Sequence, residues 1–198
     1  MLSVVTFIAV LLGVAKGQNN DLNALYLTTL NMTHKNPTWL LMTPACQWFG
    51  VGCDDSGRVV QIAWSGMLLG GTANLTALPS GLQRLGLGDN SLSGTPDLAL
   101  LPQGLQVFDV SVNQLTGTPN LSALPKGLQQ LDFAYNQLTG QPSFATLPKD
   151  LQFLDVSNNN FNGSGTFTPD EIWCSTPQAK MCGATDGTFV CTAGVWNC

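Results

Sequence analysis

Apolar and polar positions recur along this chain with a regular period. In the segment Leu128-Gln-Gln-Leu131-Asp-Phe133 they alternate, as in a half-buried β-strand. We therefore expect Leu131 and Phe133 to point inward, and Asp132 and Ala134 to point outward. An asparagine follows each such segment where the chain must turn, and successive asparagines lie 23 residues apart. These asparagines are Asn90, Asn113, Asn136 and Asn159.

The period and the consensus pattern L-x-x-L-x-L-x-x-N-x-L are the signature of a leucine-rich repeat. One unit cannot bury its own apolar side, so several units must stack around a continuous core. The pattern predicts an α/β fold by repeat class that is rich in β-structure. The expected architecture is a right-handed leucine-rich repeat solenoid with a parallel concave sheet and about five coils. The first coil begins at Val59 and is divergent, because Met67 stands where an asparagine is expected.

The other half of each unit differs from the strand half. It reads Gly117-Thr-Pro119 in one coil, and proline is excluded from central strands while glycine marks a turn. We expect an irregular convex side with short 3₁₀ or polyproline-like pieces. The asparagine amides both donate and accept hydrogen bonds, so they should satisfy buried backbone groups in the turns and form a structural ladder.

Four segments divide the chain. Residues 1–17 resemble a cleaved signal peptide, because the apolar run Leu2–Val14 is too short to span a bilayer and small residues follow it. We assign 18–58 to a helical N-terminal cap, 59–167 to the repeats and 168–198 to a cysteine-rich C-terminal cap. The mature chain then contains no transmembrane span, and we expect it to be secreted or to lie at the cell surface.

Cysteines and glycosylation motifs support an extracellular location. An even number of cysteines in a secreted chain indicates disulfides. The six lie at the two ends of the repeats: Cys46, Cys53, Cys174, Cys182, Cys191 and Cys198. The last four allow three pairings, among which the sequence does not choose. The N-x-S/T motif marks acceptors for N-linked glycans. The candidates are Asn31, Asn74, Asn120 and Asn162.

Outward positions of successive strands should form columns across the concave sheet. One column holds Asp109, Asp132 and Asp155, which is either ordinary repeat wording or a site for a basic partner or a cation. Apolar residues in neighbouring columns are either interface anchors or lie under the C-terminal tail. The candidate partner-binding residues are Arg84, Val107, Asp109, Val112, Gln130, Asp132, Tyr135, Phe153 and Asp155.

Other chemistry finds little support in the sequence. The net charge is −5 and only 10% of the residues are charged, which argues against a nucleic-acid partner. The single histidine, His34, lies in the N-terminal cap, away from the carboxylates. The spacing of the last four cysteines is not that of a zinc site. We therefore assign no catalytic residue, no metal site and no cofactor.

The N-terminal cap carries a more specific resemblance. Asp21–Leu30 has the apolar spacing of a short helix, and the box Cys46-Gln-Trp48-Phe-Gly50-Val51-Gly-Cys53 follows it. This region resembles the cap of plant-type extracellular leucine-rich repeat proteins. The wording Leu124-Pro-Lys-Gly127-Leu-Gln129 departs from that class, and the repeats are also similar to those of surface antigens of kinetoplastid and other protists.

The resemblance implies recognition of a protein or a glycan outside the cell. Family members include receptor ectodomains, co-receptors, inhibitors of wall-degrading enzymes and adhesion antigens. The leading hypothesis is a binding module that uses its concave face. The alternatives are an inhibitor of an extracellular hydrolase, a shed surface antigen and, least favoured, a carbohydrate-active enzyme that uses paired carboxylates.

Overall fold

The computed structural model describes residues 44–72, 75–143 and 146–161, and the backbone of 180–182. The expected signal peptide and the expected cap helix lie outside the described residues. The 3₁₀ helices are η1 (Ala45–Gln47), η2 (Leu75–Ala77), η3 (Leu98–Leu100) and η4 (Leu121–Ala123). The strands are β1 (Val51–Cys53), β2 (Val59–Ala63), β3 (Gly70–Gly71), β4 (Arg84–Gly86), β5 (Ser91–Gly94), β6 (Val107–Asp109), β7 (Gln114–Leu115), β8 (Gln130–Asp132), β9 (Thr139–Gly140), β10 (Phe153–Asp155), β11 (Asn160–Phe161) and β12 (Lys180–Cys182).

A seven-stranded main sheet, in the order β1-β2-β4-β6-β8-β10-β12, organises the molecule. The strand β1 is antiparallel to β2, and all later neighbours are parallel. The five strands from β2 to β10 bound four complete turns, which confirms the predicted leucine-rich repeat solenoid. Each turn advances by one repeat, so that Leu85 pairs with Phe108 and Phe108 with Leu131.

The strand β12 was not anticipated, because residues 168–198 were assigned to a cap. Its backbone pairs in parallel with β10, with Phe153 opposite Lys180 and Asp155 opposite Cys182. The step between these strands is 180 − 153 = 27 residues, against 23 in the regular coils. The main sheet therefore continues past the last regular repeat, at a spacing that the 23-residue period does not reveal.

The remainder of each coil contains short, ordered pieces. The predicted 3₁₀ helices are present, and each of η2, η3 and η4 begins with a buried leucine. Between them and the main sheet lie two small parallel sheets, β3-β5-β7 and β9-β11, so this side is more regular than expected. Gly117 (φ 77°) turns the chain after β7, and a Cβ there would collide with the Thr95 side chain of the preceding coil. Close approach of successive coils thus explains the glycine of the Gly-Thr-Pro motif.

The repeating asparagines bridge consecutive coils. The Asn113 Nδ2 donates to the carbonyls of Leu87 in the preceding coil (3.0 Å) and of Val110 (3.1 Å) and Ser111 (3.1 Å) in its own. Its Oδ1 accepts from the Leu92 amide at 2.8 Å. Asn113 is only 8% exposed, so these bonds satisfy backbone groups that water does not reach. Each coil is therefore held to the previous one by side-chain bonds as well as by the sheet.

The N-terminal end of the repeats is closed by the box that resembles the plant-type cap. Cys46 and Cys53 form a disulfide, and Trp48 between them is buried. Gly50 has φ 77°, and a Cβ there would collide with the Ala63 carbonyl of β2. The Trp64 Nε1 donates to the Phe49 carbonyl at 3.1 Å, which ties the box to the end of β2.

Candidate functional site

Three carboxylates line one column of the main sheet, which we call the acidic column: Asp109, Asp132 and Asp155. The register pairs Asp109 with Asp132 and Asp132 with Asp155 on adjacent strands. Strands of one sheet lie about 4.8 Å apart, so the three side chains are close neighbours. All three are half-buried. The structure thus brings together the aspartates that the period placed in one column.

Each aspartate is held by the chain that follows it. The Oδ1 atoms of Asp109 and Asp155 accept from the amides of Ser111 and Ser157, each at 2.9 Å. The Ser111 hydroxyl also donates to Asp109 at 2.7 Å. These bonds orient the carboxylates at the carboxyl end of their strands. The serines were not among the candidate residues, although the motif Asp-x-Ser recurs in two coils and could have identified them.

Space around the acidic column is limited on one side. A Cβ added to Gly88 would lie 3.0 Å from Asp109 Oδ1 and 3.1 Å from the Ser111 Oγ. The lack of a side chain at Gly88 therefore leaves room for the Asp109 carboxylate and the Ser111 hydroxyl. Sequence reasoning did not identify this glycine as part of the site.

The central carboxylate has an unusual proton affinity. Burial and, to a smaller extent, the charges of Asp109 and Asp155 together raise the pKa of Asp132 from 3.8 to about 6, although the hydrogen bond from the Ala134 amide lowers it. Ala134 is 4% exposed, so the expectation that it points outward was wrong. The strand ends at Asp132 and the chain turns there, which breaks the alternation two residues later.

A second column runs along the end of the strands, and we call it the rim column: Asp89, Val112, Tyr135 and Asn158. All four have φ between 51° and 54°, in the left-handed region. Asparagine and aspartate tolerate this region, whereas a β-branched residue there is a clear outlier. Val112 and Tyr135 are 45% and 60% exposed. The structure therefore presents an apolar and an aromatic side chain to solvent in an unfavourable backbone conformation.

The remaining candidates form a third column across the sheet. The register aligns Arg84, Val107, Gln130 and Phe153 on β4, β6, β8 and β10. Arg84 and Gln130 are exposed, whereas Val107 and Phe153 are half-buried. The exposed apolar residues of the predicted site are thus confined to the rim column.

The acidic column has no cationic partner among the residues that the structure describes. The one salt bridge found in that part of the chain joins Arg58 to Asp54, at 2.8 Å, on the hairpin formed by β1 and β2. Nor do the described residues contain a group of three or more histidine, cysteine, aspartate or glutamate side chains placed to hold a metal ion. Within the described residues, the three carboxylates therefore make no ion pair.

The candidate modification sites are only partly covered by the structure. Asn120 is exposed at the start of η4, and Asn31, Asn74 and Asn162 lie outside the described residues. Cys174, Cys191 and Cys198 also lie outside them, and only the backbone of Cys182 is described. Across the described ranges, no helix is long and apolar enough to cross a membrane.

Comparison with known proteins agrees with the architecture. The Leucine Rich Repeat family model matches residues 150–174. No curated protein sequence matches the chain. The leucine-rich repeat ectodomain of the receptor kinase SOBIR1 from Arabidopsis thaliana has a similar structure, with a TM-score of 0.66 and 27% identity over 85% of this chain and 93% of that one.

Two further solved structures are similar. The BIR2 ectodomain from Arabidopsis thaliana has a TM-score of 0.65 and 25% identity, covering 82% of this chain and 98% of that one. The PEPR1–AtPEP1 structure has a TM-score of 0.64 and 29% identity, covering 72% of this chain and 22% of that one. The chain is therefore a leucine-rich repeat solenoid similar to plant receptor ectodomains.

Proposed function

We propose that this chain is an extracellular binding module. It recognises a protein partner through the face of the main sheet that carries the acidic column, which we call the outer face, and through the adjoining rim column. The partner presents basic side chains to Asp109, Asp132 and Asp155 and an apolar surface to Val112 and Tyr135. The observation that carries this proposal is the juxtaposition of three carboxylates, which make no ion pair within the described residues, with two exposed apolar residues whose backbone conformation costs free energy.

The aspartates of the acidic column satisfy backbone amides of the turns that follow them, but their three like charges do not favour folding. Like charges directly opposite each other on adjacent strands destabilise a sheet. The raised pKa of Asp132 shows that its charged form is disfavoured in the folded protein. A lysine or arginine from a partner would relieve this repulsion and would also steer association. We infer that the column serves recognition.

The rim column adds an anchor beside the charges. Tyrosine is enriched among the few residues that dominate the binding free energy of interfaces. Tyr135 lies three residues after Asp132, at the end of the same strand, and its side chain is exposed. Val112 holds the same place one coil earlier. Strained residues that persist at exposed positions are typical of ligand-binding sites.

The structural comparisons support the class of function. SOBIR1 is a receptor kinase whose ectodomain has this fold, and PEPR1 was solved together with AtPEP1. Similarity to ectodomains also supports an extracellular location. A shared fold does not imply shared surface residues. The specific partner of this chain therefore depends on its own exposed residues.

Capture from extracellular fluid tests the proposal when matched variants are compared. The wild-type chain, an Asp109→Ser/Asp155→Ser variant and Tyr135→Ala are immobilised side by side. Serine replaces both aspartates because asparagine would create glycosylation motifs with Ser111 and Ser157. The control is Asp97→Asn, because Asp97 caps η3 outside the main sheet and its loss also removes negative charge, by one unit against two in the double variant. We expect one protein to be retained by wild type and by the control, and lost from the other two. Equal retention by all four would contradict the proposed site.

A further inference from the structure

The N-glycosylation motif at Asn120 is built into the start of η4. The Asn120 Oδ1 accepts from the Ser122 amide at 3.2 Å and from the Ser122 hydroxyl at 2.7 Å. The side chain therefore acts as the N-cap of this short helix. Both polar residues of the motif are exposed. The motif thus has a defined conformation on the surface.

The two ends of the Asn120 amide have different roles. Its oxygen holds the cap, whereas its Nδ2 makes no hydrogen bond to any residue that the structure describes. The ladder asparagines are the opposite case, since the Asn136 Nδ2 donates to three backbone carbonyls and Asn136 is buried. Only an asparagine whose nitrogen is exposed and unbonded can carry a substituent there without breaking the fold. Among the asparagine-containing motifs for glycosylation within the described residues, Asn120 meets that condition.

The preceding coil shows that the oxygen alone suffices for the cap. Asp97 occupies the same phase of the repeat and has no amide nitrogen, and its Oδ1 accepts from the Ala99 amide at 3.1 Å. Attachment to the nitrogen of Asn120 would leave the equivalent bond in place. Position 120 also lies about midway along the coil between β6 and β8, so a group there leaves the outer face of the main sheet accessible.

We propose that Asn120 carries an N-linked glycan. The bond forms between Nδ2 and the anomeric carbon of a sugar supplied by a lipid-linked oligosaccharide. The lipid diphosphate leaves with the electron pair of the broken carbon–oxygen bond, and Nδ2 loses one proton. Ser122 supplies the hydroxyl that the motif requires. This modification is independent of the partner proposed above.

The test uses the full chain, directed into the secretory pathway of a eukaryotic host. Peptide mapping by mass spectrometry should find a glycan at residue 120. Asn120→Gln and Ser122→Ala should each remove it. An enzyme that hydrolyses the glycosylated amide leaves an aspartate at position 120, which caps as Asp97 does. We therefore expect enzymatic deglycosylation to shift Tm by less than about 3 °C.

The preceding coil provides a gain-of-modification variant. The double substitution Asp97→Asn/Ala99→Ser recreates the motif at the same phase of the repeat and should add one glycan at position 97. An unmodified residue 120 in secreted, folded protein would overturn the proposal, whatever the other motifs carry. A modified residue 120 with an unmodified position 97 in the double variant would overturn its assignment to the shared cap geometry.

Discussion

At the scale of single residues, the negative charge of Asp132 is the clearest electrostatic feature that disfavours the folded state. Its carboxylate lies between two others, and its folded-state pKa of about 6 exceeds its ordinary value of 3.8. Between these values the folded chain binds a proton that the unfolded chain has released. The contribution of Asp132 to stability is therefore full below pH 3.8 and is lost as the pH rises to about 6.

Replacing this carboxylate should stabilise the protein at neutral pH. In Asp132→Asn the amide oxygen can still accept from the Ala134 amide, while the unfavourable charge is removed. We expect the free energy of unfolding at pH 7 to rise by about 1–2 kcal/mol, a range that allows for partial solvation of the carboxyl. At pH 3.5, where the wild-type carboxyl is protonated in both states, the gain should disappear.

Urea denaturation between pH 3.5 and 7.5 measures this effect. Asp97→Asn is the control for net charge, and its free energy of unfolding should stay within about 0.5 kcal/mol of wild type. A gain in Asp132→Asn that does not depend on pH would contradict the raised pKa.

Val112 is the clearest conformational liability. Its φ of 51° lies in the left-handed region, where a side chain with a Cβ costs about 1–2 kcal/mol. Glycine adopts this conformation freely but loses more backbone entropy on folding, by about 1 kcal/mol. Val112→Gly should therefore leave the free energy of unfolding unchanged or raise it by up to about 1 kcal/mol.

The matched control is Val107→Gly, since Val107 lies in extended backbone on β6. That variant should lose at least about 1 kcal/mol, because it removes a half-buried side chain and weakens a strand. Thermal unfolding of both variants makes the comparison. Equal destabilisation of the two would show that the Val112 side chain contributes to the fold rather than to a partner surface.

The sequence predicted the acidic column but not the backbone conformation of the rim column. The period placed Asp109, Asp132 and Asp155 in one column because register in a solenoid follows directly from repeat length. It did not reveal the left-handed conformation of Val112 and Tyr135, since local preference argues against it. The coil geometry imposes that conformation on whichever residue precedes the ladder asparagine.

At the scale of elements, the asparagine ladder accounts for the stacking of coils. Asn113 and Asn159 make the same set of bonds: one accepted backbone amide and three donated contacts to carbonyls. They differ in burial, because Asn113 is enclosed and Asn159 is half-buried. The cost of losing such a side chain depends on whether water can replace it.

Alanine substitution should separate the two positions. Asn113→Ala removes the acceptor of the buried Leu92 amide and one of two donors to each of three carbonyls, and we expect a loss of about 2–4 kcal/mol. Asn159→Ala should lose about half as much, because Asn159 is half-buried rather than enclosed. Chemical denaturation of both variants provides the comparison. A larger loss at Asn159 would mean that the last regular coil, rather than the interior of the ladder, limits stability.

The predictability of elements follows the period. Strands β4, β6, β8 and β10 recur with the repeat, so alternation located them, whereas proline placement predicted only short 3₁₀ or polyproline-like pieces without their positions. The strand β12 was not predicted because its spacing from β10 departs from the repeat. The small sheets were not predicted because glycine and proline argue against strands.

At the scale of the whole molecule, the solenoid separates stability from recognition. Leucines and phenylalanines form a continuous apolar core along the stack, and the ladder asparagines join its coils, whereas the outer face of the main sheet carries charge that the core does not need. Asn120 lies away from that face, so a glycan there would leave it open. This arrangement suits a chain whose specificity depends on exposed residues alone.

The most direct measurement is the dissociation constant between the full chain and the protein it captures, determined by calorimetry. Asp109→Ser/Asp132→Asn/Asp155→Ser, which creates no new glycosylation motif, should raise Kd about 10- to 100-fold and weaken its dependence on salt. Asp97→Asn should stay within about twofold of wild type, since an exposed charge outside the interface contributes little. A Kd that the triple substitution leaves unchanged would contradict recognition through the acidic column.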